Sequence, residues 1–98
     1  MAYKLIWGPS ARLDLKELSS YIAESRPEVS VRFVKSVFRT IEPLTQFPES
    51  GRIVPEFSDP TIREVIRKPC RIVYRIKADQ QVVEIVRIWH AARGLPQL

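Results

Sequence analysis

The sequence predicts an α+β fold, in which a helical hairpin packs on one face of a small twisted, mainly antiparallel sheet. A short alternating segment comes first, two stretches with helical spacing follow, and three alternating segments close the chain. The predicted order is therefore β-α-α-β-β-β, and helices gathered on one face of a sheet are a stable layer arrangement. A length of 98 residues predicts a single domain over residues 1–98.

The first strand and the first helix are separated by a strong break signal. Tyr3–Trp7 has the alternation of a short strand, and Gly8-Pro9-Ser10 ends it. We expect Pro9 near the first helical position and Ser10 as a possible N-cap. The helix buries an apolar stripe whose members are spaced by four, three and four residues: Ala11, Leu15, Leu18 and Ile22.

A second helix follows the break at Ser25-Arg26-Pro27 and completes the hairpin. Its apolar residues recur at positions i, i+3, i+4 and i+7, with Phe33 beside them. We expect Pro43 to kink or end this helix, because proline lacks the amide donor and clashes with the preceding turn. The predicted core residues of the second helix are Val34, Val37, Phe38 and Ile41.

The second half of the chain is a long connection followed by three strands. Proline and glycine are dense between Phe47 and Pro60, with a short extended piece expected near Arg52–Val54. A hairpin loop is expected over residues 78–81. The three predicted strands are Ile62–Arg67, Cys70–Lys77 and Val82–His90. The last is apolar at most positions on both faces, which suits a central strand covered on both sides.

The net positive charge comes entirely from the strand-rich last part of the chain. Residues 1–60 carry eight basic and eight acidic residues, whereas residues 61–98 carry eight basic and three acidic ones, which accounts for the net +5. Within Cys70–Lys77, one side carries Ile72, Tyr74 and Ile76, and the other carries basic residues. Burying those like charges under the helices would be very costly, so we expect them on the open face of the sheet. Such a face suits a polyanion or an acidic protein: Arg71, Arg75 and Lys77.

Several function classes are disfavoured by composition. One cysteine, Cys70, and one histidine, His90, allow neither an internal disulfide nor a usual zinc site, and no cofactor is expected. The N-terminal apolar run is too short for a signal peptide, since it stops at Gly8. No segment approaches the roughly 20 apolar residues that cross a bilayer. We therefore expect a cytoplasmic protein without a membrane partner.

Several segments together resemble one family of bacterial toxins. Ala11–Ile22 (ARLDLKELSSYI) is similar to that family's "A..DL..I..YI" opening, and Pro48–Glu56 (PESGRIVPE) to its "P..GR..PE" loop. Ile62–Glu64, then Tyr74–Ile76 and Val86–Arg93 (VRIWHAAR), are similar to the family's C-terminal pattern. In this order and spacing, the chain resembles the RelE/ParE superfamily of type II toxin–antitoxin systems over nearly its whole length.

The resemblance implies a toxin neutralised by a cognate antitoxin from the adjacent gene, but it leaves two activities open. RelE-like members cleave mRNA on the ribosome, whereas ParE-like members inhibit DNA gyrase by protein–protein binding. We take a RelE-like, ribosome-dependent mRNA endoribonuclease as the first hypothesis and a ParE-like gyrase inhibitor as the alternative. A non-toxic member that acts only as a binding partner is the third.

The endoribonuclease hypothesis assigns chemical roles to three residues. Metal-free RNA cleavage needs a base for the 2′-hydroxyl, an acid for the leaving oxygen and a cation on the phosphate. Glu56, Arg71 and His90 fall where nuclease members carry a glutamate, an arginine and a histidine, which makes them the predicted catalytic set. Further cations are predicted to bind RNA phosphates: Arg63, Arg75, Lys77 and Arg87.

Each of these residues also has a plainer interpretation. Ala91 follows His90 where some nuclease members have an aromatic hydroxyl, and gyrase-directed members often keep this histidine, so His90 is equally compatible with a structural or antitoxin-contacting role. Glu56 could be a solvated loop carboxylate. Arg63 could form an ion pair with Glu64. Arg87 lies in a largely apolar strand and needs either a carboxylate or an open face.

Overall fold

The computed structural model describes residues 2–93 and residue 98. Two 15-residue helices follow the first strand, and three strands close the fold, in the predicted order. The short extended piece expected near Arg52–Val54 forms one more strand, Arg52–Ile53. Short 3₁₀ turns occur at Glu42–Thr45, Pro48–Ser50 and Ala91–Arg93. The main elements are β1 (Lys4–Trp7), α1 (Pro9–Ala23), α2 (Pro27–Ile41), β2 (Arg52–Ile53), β3 (Ile62–Arg67), β4 (Cys70–Lys77) and β5 (Val82–His90).

The five strands form one mixed sheet in the order β1-β5-β4-β3-β2. β1 is parallel to β5, and the other three pairs are antiparallel, which confirms the predicted mainly antiparallel sheet. β4 lies at the centre, between β5 and β3, and β5, for which the sequence predicts a central position, lies beside it between β1 and β4. The parallel pairing of β1 is possible because the helical hairpin carries the chain back across the sheet before the antiparallel strands begin.

The start of α1 differs from the prediction. The helix begins at Pro9 with Gly8 as its N-cap, so Ser10 lies in the first turn and does not cap the helix. Gly8 donates its N–H to the carbonyl of Ile85 at 2.8 Å, and a Cβ at Gly8 would lie 3.1 Å from that oxygen. The same Cβ would lie 3.2 Å from a carboxylate oxygen of Glu84, so the negative charge of Glu84 lies close to Gly8. This is the N-terminal end of α1, the positive end of the helix dipole.

The second helix ends where proline predicts. α2 stops at Ile41, and Pro43 lies inside the following 3₁₀ turn. Val37 and Ile41 are buried as expected, and Phe33, which flanks the predicted stripe, is buried as well. The core prediction is wrong for Phe38, which is half-exposed and packs its ring against Trp7, with ring centroids 5.5 Å apart.

The main core fills the space between the helical hairpin and the sheet. Its buried members from the helices are Ala11, Phe33, Val37 and Ile41, and those from the sheet include Ile72, Tyr74, Val83, Ile85 and Ile88. The predicted α1 stripe residues Leu15, Leu18 and Ile22 pack against it. This core confirms the prediction for Cys70–Lys77, in which Ile72, Tyr74 and Ile76 face the helices.

A second, smaller core lies on the opposite face of the sheet. Val54, Ile62 and Val73 are buried there, and Val86 packs against them. Val54 is the first residue after β2, so the connection between β2 and β3 covers part of the face that the sequence predicts to be open. The cationic side chains of this face therefore lie beside a covering segment.

Neither α-helix in the described ranges, 2–93 and 98, is long and apolar enough to cross a bilayer. Within the same residues, no cluster of three or more histidine, cysteine or acidic side chains is arranged to hold a metal ion.

Candidate functional site

The alternation of β4 places its basic residues on the face away from the helices. Cross-strand partners share a face of the sheet, and Arg71 lies opposite Trp89, whereas Arg75 lies opposite Glu84. Ile72 and Tyr74 are completely buried under the helices. The predicted orientation of Arg71, Arg75 and Lys77 is thus confirmed.

Arg71 is held by two carboxylates. Its Nη1 and Nη2 donate to Glu56 Oε2 and Oε1 at 3.1 and 2.8 Å, and its Nε donates to Glu64 Oε1 at 2.5 Å. The second oxygen of Glu64 accepts a hydrogen bond from Arg52 Nε. We call these four residues, Arg52, Glu56, Glu64 and Arg71, the Arg71 cluster, and its formal charge is zero.

The electrostatics of the Arg71 cluster work against base catalysis by Glu56. The side-chain hydrogen bond from Arg71, followed by one from the Glu56 backbone, lowers the pKa of Glu56 from 4.5 to about 2, and the bond between the two side chains raises the pKa of Arg71. A general base works best with a pKa near the working pH. Glu56 is therefore a firmly ionised partner of Arg71 and a weak proton acceptor.

His90 lies on the other side of the sheet. It pairs across the strands with Cys70, which belongs to the core under the helices, whereas its neighbour Trp89 pairs with Arg71. His90 Nδ1 accepts a hydrogen bond from the Ala92 N–H at 3.1 Å. A groove of about 400 Å³ beside it is lined by Glu17, Leu18 and Tyr21 of α1. We call this the His90 groove.

The predicted catalytic set is therefore brought together only in part. Glu56 and Arg71 are in contact, but His90 is directed to the opposite face of the sheet. Consecutive residues of a strand point to opposite faces, so Trp89, and not His90, shares the face of Arg71.

Arg63 lies away from the predicted row of open-face cations. It pairs with Tyr74 and so faces the helix side, where its guanidinium donates to the carbonyl oxygens of Pro60 and Gly51, both at 3.0 Å. An ion pair between Arg63 and Glu64 does not form, because neighbours on a strand point to opposite faces. The nearest acidic partner of Arg63 is Glu49, at 3.6 Å.

Arg87 has the carboxylate that its position in an apolar strand requires. Its Nε and Nη2 donate to the two oxygens of Asp14 at 2.8 and 2.9 Å, and this bond raises the pKa of Arg87. The Ile88 N–H also donates to Asp14, at 3.0 Å. Because β1 has ended by this point, Asp14 satisfies a backbone donor at the edge of β5 and fixes α1 there. The guanidinium also lies over the ring of Trp89, 4.7 Å from its centroid.

The two remaining predicted phosphate ligands have different surroundings. Lys77 forms an ion pair with Glu84 at 3.0 Å. In the part of the chain that the structure describes, the guanidinium of Arg75 has no hydrogen bond or ion pair. It lies near Asp59, whose pKa is lowered mainly by hydrogen bonds from Thr61. Of the predicted row, Arg75 is thus the cation that a ligand could reach without breaking a contact.

Sequence reasoning missed the residues that hold the loop before β2. The hydroxyl of Tyr74 donates to the carbonyl of Pro48 at 2.7 Å and accepts from the Gly51 N–H at 2.9 Å. A Cβ at Gly51 would lie 2.5 Å from that hydroxyl, so only glycine fits there. Arg52 follows directly and reaches Glu64, a buried acid that was also missed. The available signal was Glu64 itself, a charge between Ile62 and Ile66 on one strand face.

The fold is that of the RelE/ParE toxins. The structure is similar to a chain of the chromosomal ParDE toxin–antitoxin system from P. aeruginosa, with a TM-score of 0.74 and 24% identity over 91% of this chain and 96% of that one. It is also similar to a chain of the RelBE2 complex from Mycobacterium tuberculosis (TM-score 0.62, 21% identity, 92% and 99% covered). A mutant of the E. coli toxin RelE in the free state matches with a TM-score of 0.65 and 18% identity, over 96% of this chain and 88% of that one.

Sequence comparison identifies the family within the RelE/ParE fold. The model of the ParE toxin of type II toxin–antitoxin systems, parDE, matches residues 5–95. The Y4kP protein of Sinorhizobium fredii (strain NBRC 101917 / NGR234), a toxin candidate, is 31% identical over 96 residues, which are 97% of this chain and 95% of Y4kP. The chain belongs to the ParE toxin family, and it is the toxin of a type II toxin–antitoxin system.

Proposed function

We propose that this toxin is a ParE-like inhibitor of DNA gyrase that acts by protein–protein contact and does not cleave RNA. The observation that carries the proposal is the separation of the predicted catalytic residues. Glu56 binds Nη1 and Nη2 of Arg71, which form the outer edge of its guanidinium, and His90 lies on the other face of the sheet. The alternative hypothesis from the sequence is therefore favoured over the endoribonuclease.

RNA cleavage would require a base, an acid and a phosphate-binding cation around one scissile phosphate. In the described structure, the outer edge of Arg71 already binds a carboxylate, and the pKa of that carboxylate, on Glu56, is about 2. A phosphate would have to displace Glu56, and His90 is directed to the opposite face of the sheet from Arg71. These features support a toxin whose surface binds a target and performs no chemistry on it.

Family membership supports the same target. ParE-like members of the superfamily resemble one another as gyrase inhibitors, and the ParE family model matches residues 5–95. By the same resemblance, we expect a cognate antitoxin from the adjacent gene to neutralise this chain. Similar structures include toxins from the ParDE system and from the RelBE2 toxin–antitoxin complex. Gyrase works on chromosomal DNA, so the proposal also implies a cytoplasmic location.

Two assays run on one preparation of toxin test the proposal. Purified toxin is added to a gyrase supercoiling reaction and, separately, to a cell-free translation reaction whose mRNA is mapped by primer extension. We expect loss of supercoiling and intact mRNA. Toxin mixed beforehand with its antitoxin is the control and should leave supercoiling unchanged.

The opposite pattern, new mRNA ends with normal supercoiling, would restore the endoribonuclease hypothesis. In that event, Arg71→Ala and His90→Ala variants should each remove the new ends. If neither supercoiling nor mRNA changes, the chain is the non-toxic binding partner of the third hypothesis.

A further inference from the structure

The guanidinium of Arg71 has an inner edge, where Nε binds Glu64, and an outer edge, where Nη1 and Nη2 bind Glu56. The contact at the inner edge does not depend on the contact at the outer edge. Glu64 is 1% exposed and binds the Nε atoms of both Arg71 and Arg52. The side chain of Arg71 is 13% exposed, so little of it is in contact with water. Because the buried Glu64 orients the guanidinium from below, Nη1 and Nη2 point outward whether or not Glu56 is in place.

The outer edge is filled by a residue that can leave. Glu56 lies in the connection between β2 and β3, and its side chain is 26% exposed. The ends of this connection are held by other contacts, since the Val54 N–H donates to Ile62 O at 3.1 Å and the Thr61 N–H donates to Asp59 at 2.9 Å. Among the described side chains, Arg71 is the one that hydrogen-bonds the Glu56 carboxylate. Rotation of one side chain is therefore enough to free the outer edge.

We propose that the outer edge of Arg71 is a carboxylate-binding site, filled by Glu56 in the free chain, and that an acidic side chain of a protein partner replaces Glu56 there. The fork of a guanidinium matches the two oxygens of a carboxylate. With Glu56 rotated away, Arg52, Glu64 and Arg71 together carry one positive charge. A single incoming carboxylate restores neutrality.

The surroundings favour a protein over a nucleic acid. Exposed apolar side chains lie nearby, since Ile66 is the cross-strand neighbour of Arg71, and Phe57 follows Glu56 in the chain. A nucleic acid would call for several cations free to bind phosphates. Among the other described cations predicted on this face, Lys77 and Arg87 are paired with Glu84 and Asp14, which leaves Arg75 as a single available cation.

Glu56 therefore acts as a built-in competitor for the partner. A partner binds only when the outer edge is open, so its apparent affinity is reduced by the fraction of time that the edge is open. Removing the Glu56 charge without changing its shape should increase the affinity for acidic side chains. The contact between Arg71 and Glu56 of the β2–β3 connection therefore keeps the outer edge of Arg71 closed until an acidic partner binds.

A peptide titration tests this exchange. The probe is a blocked hexaglutamate peptide with a fluorescent label, added at low salt to the wild-type chain and to two variants, Glu56→Gln and Glu49→Gln. Both variants remove one negative charge, but Glu49 is 79% exposed and lies outside the Arg71 cluster. We expect Glu56→Gln to bind about three- to tenfold more tightly than wild type and Glu49→Gln to bind as wild type does. A hexaglutamine peptide should bind none of them.

Two further measurements make the assignment specific. The double variant Glu56→Gln/Arg71→Lys keeps the charge but lacks the fork, and it should lose the gain in affinity. If that variant does not fold, the side-chain NMR signals of Arg71 in Glu56→Gln should shift when the peptide is added.

Three outcomes would overturn the proposal. The first is no gain for Glu56→Gln, and the second is an equal gain for Glu49→Gln, which would reduce the effect to net charge. The third is a gain for a single-stranded decauridylate oligonucleotide without a gain for the peptide, which would assign the site to phosphate. None of these readouts depends on gyrase or mRNA, so they fail or succeed independently of the proposed function.

Discussion

The two faces of the sheet hold the predicted site residues in contrasting surroundings. On the outer face, Arg71 is bound by two carboxylates, one of them buried. On the helix side, His90 has a single described side-chain hydrogen bond, from the Ala92 N–H, and lies at the His90 groove. The difference is one position along β5: Trp89 lies opposite Arg71, whereas the next residue, His90, points to the other face. Residues that match one family motif, such as Arg71 and His90, can thus lie on opposite faces of the sheet, because side chains alternate along a strand.

The largest effect is expected at Glu64, the buried carboxylate of the Arg71 cluster, which has no counterpart at the His90 groove. We expect Glu64→Ala to destabilise the protein by about 3–5 kcal/mol, because it leaves two arginines beside a buried site without their shared carboxylate. Urea unfolding followed by tryptophan fluorescence measures the change. Glu49→Ala, at an exposed ion pair of 3.6 Å, is the control and should change stability by less than about 1 kcal/mol. Equal losses in the two variants would mean that Glu64 is not the centre of the cluster.

The loop that brings Arg52 to the cluster is tested at Gly51. We expect Gly51→Ala to cost about 1–3 kcal/mol, since the new Cβ would lie 2.5 Å from the Tyr74 hydroxyl and 2.6 Å from the Glu64 carbonyl oxygen. Thermal unfolding by circular dichroism measures it. Ser50→Ala changes the exposed neighbouring residue and should leave the melting temperature unaltered. A tolerated Gly51→Ala would argue that the contact between the loop and Tyr74 is loose.

The pH dependence of stability tests the electrostatics of the outer face. The pKa of Glu56 is about 2 in the folded chain and 4.5 in its unperturbed state, so the folded state binds this proton less readily. The stabilisation by Glu56 is complete above pH 4.5 and is lost as the pH falls toward 2. We expect Glu56→Gln to be less stable than wild type at neutral pH and to converge with it near the folded-state pKa of about 2. Urea unfolding at several pH values checks this, and a constant difference between the two would contradict it.

The smallest effect is expected on the helix side of the sheet. His90→Ala removes the hydrogen bond that Nδ1 accepts from the Ala92 N–H, which is worth about 0.5–1.5 kcal/mol. We expect gyrase inhibition to persist in this variant, because His90 has no catalytic role in the proposed function. Dose–response curves for supercoiling inhibition provide the measurement. A large loss of inhibition with unchanged stability would assign the His90 groove to target binding.

Much of the fold was predictable because its signals are local. The apolar stripe of α1, the end of α2 before Pro43 and the alternation of Cys70–Lys77 all depend on residues within one or two turns of each other. The orientation of Arg71 followed from that alternation and from the cost of burying charge. The N-cap of α1 was less predictable, because Glu84 comes to the start of the helix from a distant strand.

The candidate site was predictable only in part, for the same reason. Pairing Glu56 with Arg71 depends on how the connection between β2 and β3 folds back over the sheet. Placing Arg63 on the helix side depends on the register of β3 against β4. Register and loop placement come from contacts between distant residues, which a local pattern does not contain.

By itself, the sequence determined the order of helices and strands, the position of the main core and the superfamily, since these depend on periodicity, prolines and a chain-long set of motifs. Only the tertiary structure decided that Arg71 is neutralised by Glu56 and Glu64, that Arg87 is anchored to Asp14, and that His90 lies on the other face. The physical reason is that a charge acquires its partner from the whole fold. A row of basic residues in the sequence shows where cations lie, but the packing of loops and strands decides which of them stay available to a ligand.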